Sequence, residues 1–123
     1  MIVIVLVAVS GGLGAVARFA LDGAIRHRTS GAFPFGTVII NLTGSLLLGL
    51  LAGLVSGGLP ADLQTVLGTG FLGGYTTFST ASVETVRLLM ERRYAAAIGN
   101  GIGTVVLATM LALLGFLLGT VLG

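Results

Sequence analysis

Residues 73–82 read GGYTTFSTAS, two glycines followed by a run with five Ser and Thr hydroxyls, set in the middle of a hydrophobic segment. A lipid-facing span gains nothing from such residues. Glycine weakens a helix and hydroxyls carry polar groups that lipid does not satisfy, so the stretch has to be read against what surrounds it. The chain of 123 residues is 55% hydrophobic and only 8% charged, with a mean hydropathy of +1.13. Ten charged side chains are too few to keep a soluble domain of this size dispersed, and an all-α membrane protein is the class that fits.

Four segments are long enough to cross a bilayer core, which takes about 20 apolar residues. They run over Met1–Leu21, Phe35–Ser56, Leu63–Met90 and Ala95–Leu122. The connections DGAIRHRTSGAFP, GGLPAD and ERRY are too short to fold by themselves, so residues 1–123 are expected to form one four-helix transmembrane domain. The first segment has no positive charge ahead of its apolar run other than the terminal amine, and it reads as a retained span instead of a secretory leader.

Within that frame the third span is expected to break near mid-membrane. Its first half should end at Gly73-Gly74 and its second restart at Thr76-Thr77, hydroxyl residues suited to capping a new helix. Freed carbonyl and amide groups cannot face lipid, so such a break has to line a cavity or an ion site. Thr76, Thr80 and Glu84 follow one another at helical spacing with Ser79 close by, and Phe78 and Ala81 share another face. Hydroxyls can donate to an anion, and an aromatic ring offers it a positive edge.

Two more polar residues are embedded: Asn41, whose amide can donate two hydrogen bonds, and Arg18, expected to pair with backbone carbonyls or Asp22. Glu84 is expected to pair with Arg87 three residues on. His27 lies between Arg26 and Arg28 and reads as a solvated loop residue. Twenty-one glycines include two sets at four-residue intervals, Gly49, Gly53, Gly57 and Gly115, Gly119, Gly123. Each makes a smooth stripe for close helix packing, within the chain or between subunits.

The arginines fall in or beside the connections after the first and third spans, and the opposite side has none. The positive-inside rule then puts those connections in the cytoplasm and both termini outside the cell membrane. No basic face with interleaved aromatics exists, so nucleic acid is not an expected partner. The chain lacks Cys and has one His, two Asp and two Glu, mostly in connections, which offers no acid–base or nucleophilic constellation for an enzyme.

The segments GGLGAVARF, GTVIINLTGSLLLG and above all GFLGGYTTFSTASVE resemble the signature segments of the CrcB/Fluc fluoride channels. That resemblance implies an antiparallel dimer with two pores along the subunit interface, passing fluoride passively out of the cytoplasm. It also implies a structural sodium ion at the dimer centre, held by the backbone carbonyls of Gly73 and Thr76. The fluoride pathway it implies comprises Asn41, Phe78, Ser79 and Thr80. The sequence departs from the family pattern at Ala81, where a second phenylalanine is usual, and near Thr104 and Ala108, where a tyrosine and a serine are frequent. Together with the one-sided arginines, these departures favour pairing with an oppositely oriented paralogue over a homodimer. A non-conducting structural subunit is the alternative. A small four-span multidrug exporter is disfavoured, because its first-span carboxylate has no counterpart here.

Overall fold

The computed structural model describes residues 1–123, and the chain is helical throughout except for short connections. Helix α1 spans Ile2–Arg28 and α2 spans Phe35–Ser56. Helix α3 begins as Ala61–Leu63, passes through a π-helical stretch, Gln64–Leu72, and ends as Gly73–Tyr75. Helix α4 is Phe78–Met90, and α5, Tyr94–Leu122, contains a π-helical turn at Gly99–Gly103. Helices α1, α2 and α5 are each long and apolar enough to cross a membrane; the α3–α4 segment is not one continuous helix. Helix α1 continues seven residues beyond the expected span, so Arg26, His27 and Arg28 lie on its last turn, where cations suit the helix dipole.

The contacts fix the directions. Ser10 donates through Oγ to the Val66 carbonyl at 3.0 Å, Gly14 meets Phe71, and Arg18 reaches Gly74, so α1 and α3 run parallel. Gly49 meets Ala112, Gly53 meets Phe116 and Gly57 meets Gly123, so α2 and α5 run parallel to each other. Helix α2 opposes α3, with Leu48 beside Gly68 and Gly44 beside Thr76. Met1, the Ser56–Asp62 connection and Gly123 therefore share one end. The other end gathers Arg26, Arg28, Arg87, Arg92 and Arg93.

Glycine is what lets these pairs approach. A Cβ on Gly49 or Gly53 would overlap the carbonyl of Ala112 or Phe116, and one on Gly115 or Gly119 that of Leu46 or Leu50. Both glycine stripes are consumed by the α2–α5 contact inside the chain. The α1–α3 pair repeats the device at Gly14 and Gly74, whose Cβ atoms would overlap the Phe71 and Gly11 carbonyls. Without a hydrophobic effect between helices in lipid, this backbone-to-backbone contact is the main source of association.

The apolar interior is small. Only 19 of 123 residues are buried, and the cluster Ile40, Leu72 and Tyr75 sits directly beneath the α3–α4 break. Tyr75 stacks on Phe71 with ring centroids 6.3 Å apart, and its hydroxyl lies 2.9 Å from Thr43 Oγ1. Most of the apolar side chains face outward, toward lipid or another chain.

Candidate functional site

The first half of the span ends at Tyr75, one residue past the glycines expected to end it, and the break falls at Thr76–Thr77. Gly73 and Gly74 remain helical; Gly74 is there so that α1 can pack against it, not to end the helix. Thr76 and Thr77 are extended (φ −83°, ψ 159° and φ −147°, ψ 120°). Thr77 is the N-cap of α4, its Oγ1 accepting from the Thr80 amide at 3.2 Å. Thr76 closes α3 instead, its amide and its Oγ1 both donating to the Leu72 carbonyl, at 2.9 and 3.0 Å.

Asn41 on α2 substitutes for the missing turn. Its Oδ1 accepts from the Thr77 amide at 2.9 Å and its Nδ2 donates to the Thr77 carbonyl at 2.8 Å. One amide side chain thus satisfies both backbone groups of the residue at the break, which leaves a single Asn41 N–H free for any ligand. Arg18 Nε donates to the Gly74 carbonyl at 3.3 Å, which in an unbroken helix would accept from Phe78. Of the expected partners for Arg18, the carbonyl is the one it takes; Asp22 bonds Arg26.

The carbonyls of Gly73 and Thr76, at the break, receive no turn, cap or side-chain hydrogen bond. Gly73 and Thr76 both line an open groove of about 800 Å³ between α2, α3, α4 and α5. Unpaired carbonyl oxygens are hard, neutral donors of the type that suits a hard monovalent cation, and no cluster of His, Cys, Asp or Glu competes for that role.

The groove brings Asn41, Gly73, Thr76 and Phe78 together with Ala81. Phe78 is 84% exposed, so its ring is presented to whatever fills the groove. Ser79 and Thr80 do not line it. The extended backbone at Thr76 breaks the helical register that put Thr76 on one face with Thr80 and Glu84, so only Thr80 and Glu84 share that face.

Sequence reasoning missed the rest of the polar lining: Ser45, Thr69, Ser82 and Thr85. It also missed Asn100, 2% exposed in the π turn of α5, whose Nδ2 donates to Thr85 Oγ1 at 2.8 Å and the Ala81 carbonyl at 3.3 Å. The available signal was an amide within an apolar run, flanked by glycines in GNG. Thr104 and Ala108, the departures expected in the last span, line the groove near Ala81. Glu84 is bonded across the bundle to Arg26, Nη2 to Oε2 at 3.2 Å, and not to Arg87 as its spacing suggested.

The family described as "CrcB-like protein, Camphor Resistance (CrcB)" matches residues 5–116. The chain is 55% identical over 119 residues to the protein named Fluoride-specific ion channel FluC 1 of Leifsonia xyli subsp. xyli, covering 96% of this chain and 87% of the relative. It is 48% identical over 105 residues to Fluoride-specific ion channel FluC 2 of Mycobacterium tuberculosis strain ATCC 25618 / H37Rv, covering 85% and 81%. Against Fluoride-specific ion channel FluC of Syntrophotalea carbinolica the identity is 45% over 117 residues, 94% and 95% of the two chains.

Proposed function

The chain belongs to the CrcB family, and from that premise we propose that it is a subunit of a fluoride-selective channel, not an enzyme, through which fluoride leaves the cytoplasm down its gradient. The observation that carries the reading is the α3–α4 break: a helix interrupted inside the bundle, clamped by Asn41 and opening onto a hydroxyl-lined groove. Lipid would penalise that backbone by several kcal/mol per unpaired group, so the groove is filled by water, ions or another chain.

In this reading the α3–α4 segment is the fourth crossing, made in two halves. The basic end faces the cytoplasm and both termini lie outside the plasma membrane. The groove is the seam for an antiparallel partner. Asn41 and Phe78 line the fluoride pathway there, and Ser79 and Thr80 serve the second pathway on the other side of α4. The carbonyls of Gly73 and Thr76, two residues that line the groove, would hold a structural sodium ion with the same pair from the partner. That ion would supply positive charge binding the two breaks together.

The partner we favour is an oppositely oriented paralogue. Every arginine outside the bundle interior lies at one end, which fixes a single insertion direction, and Ala81 leaves the groove without a second ring. Fluoride efflux from liposomes tests both levels. Efflux from vesicles holding this chain with a co-expressed paralogue, absent with either chain alone, is the expected result. Fast selective efflux from this chain alone would overturn the heterodimer. No efflux in any combination would leave it a non-conducting structural subunit and overturn the channel reading.

A further inference from the structure

Glu84 lies one turn beyond Thr80 on the same face of α4, and it is buried, 6% exposed. A carboxylate beside a route for anions is a liability, and the structure surrounds this one with a specific arrangement. Arg26 Nη2 donates to Glu84 Oε2 at 3.2 Å, while Nε of the same guanidinium donates to Asp22 Oδ2 at 2.9 Å. Asp22, one turn earlier on α1, is seated where Gly36 has no side chain; a Cβ there would overlap Asp22 Oδ1. Helix α1 therefore holds the arginine and points it across to α4. Glu84 Oε1 is buried with no donor of its own, so Arg26 is the only group in the chain that compensates this carboxylate directly.

The other charges nearby are few. Arg26, Glu84, Arg87 and Glu91 line a recess of about 300 Å³ at the basic end, where Arg87 has no ion pair and Glu91 is 3.5 Å from Arg93. The connection Thr29–Pro34 and the start of α2 contribute no ionisable side chain, and α5 contributes only the exposed Tyr94. Arg28, Arg92 and His27 stand at the same end, are exposed and form no ion pair.

We propose that Arg26 is a positioning residue that holds Glu84 as a neutralised ion pair, so that this buried carboxylate does not oppose the passage of anions. This rests on the channel reading above. A guanidinium keeps its charge across the accessible pH range, so the pair is neutral throughout. Without Arg26, the Glu84 carboxylate has no compensating cation and repels a passing anion. A bare charge about 6 Å from a passing anion, at an effective dielectric between protein and water, slows it about tenfold.

The experiment is fluoride efflux from liposomes. Arg26→Lys, which keeps a cation beside Glu84, should conduct near the parent rate. Arg26→Ala should lose about tenfold in rate, and Arg26→Ala/Glu84→Gln should recover it. An unchanged rate in Arg26→Ala, or a loss that survives in the double variant, overturns the proposal. Melting of the detergent-solubilised protein decides the pairing without conduction: the effects of Arg26→Ala and Glu84→Gln should be non-additive in the double variant, and strict additivity overturns the pair. Absence of efflux from the unaltered protein would count against the channel reading and leave the melting cycle to decide this one.

Discussion

Replacing Asn41 by Ala should open the helical break, and the structure gives the size of the effect. Two hydrogen bonds, of 2.8 and 2.9 Å, are lost together, and both partners are backbone groups of Thr77. Each unsatisfied group costs about 1–3 kcal/mol when buried. Asn41 borders an open groove, so water can reach the freed groups and the lower half of that range applies. The expected loss is therefore about 2–4 kcal/mol for the pair. Because the Thr77 amide is itself bonded to Asn41, hydrogen exchange at that amide reads the clamp locally. It should accelerate about 30-fold or more in Asn41→Ala, the equivalent of ~2 kcal/mol. Asn41→Asp keeps an acceptor for the amide but cannot donate to the carbonyl, so its exchange should stay within a few fold of the parent while overall stability still falls. Unchanged exchange at Thr77 in Asn41→Ala would refute the reasoning. It would mean that α3 and α4 hold the break open without help from α2.

Gly53→Val should abolish stable expression, because even its Cβ overlaps the Phe116 backbone, whereas Gly103→Ala, which meets nothing within 4 Å, should raise thermal stability slightly. Melting of the detergent-solubilised protein compares them. Ala81→Phe should change fluoride efflux in the assembled channel, since the new ring would enter the groove beside Phe78, Thr104 and Ala108; an unchanged rate would remove any role for a second ring. Arg18→Gln retains a donor for the Gly74 carbonyl and Arg18→Leu does not, so melting should fall by a larger step for Leu, by about 1–3 kcal/mol, with Gln in between.

The sequence made the class, the helical segments and the existence of a break legible, because long apolar runs and a hydroxyl cluster are one-dimensional signals. It ended the first half of the span one residue early, at the glycines, for a physical reason. Glycine in a soluble helix signals termination, but in a membrane bundle it signals close approach, and Gly74 and Gly14 serve that purpose against opposing carbonyls. The capping role of Thr77 could be anticipated from residue type. The clamp by Asn41 could not, since it depends on the antiparallel register of α2 and α3 across 36 residues of sequence. The pairing of Glu84 with Arg26 was hidden for the same reason. Arg87 is the sequence neighbour, but α1 reaches the buried side of α4 and the Arg87 side chain does not. Asn100 was lost in an apolar run, where one amide hardly alters the hydropathy.

How α4 is held follows from this distribution of contacts. The α1–α3 and α2–α5 pairs are joined by glycine-mediated backbone packing, which is dense and leaves little room for adjustment. Helix α4 has no comparable seam. Only Glu84 and Leu88 of its residues are buried, and Phe78, Val83, Val86, Leu89 and Met90 are exposed. What ties it to the bundle is polar: Asn41 at its start, Asn100 at Ala81 and Thr85, and Arg26 at Glu84. Hydrogen bonds constrain position and orientation with few atoms, so α4 can be fixed in place while its apolar side stays free to meet another surface. A helix packed by glycine stripes could not do both, because the face that fixes it would be the face it hides. The division of labour therefore places the adjustable, ligand-facing element on directional bonds and the scaffold on steric contact. It also accounts for the polar side chains of Asn41, Asn100 and Arg26 each reaching α4 or its cap.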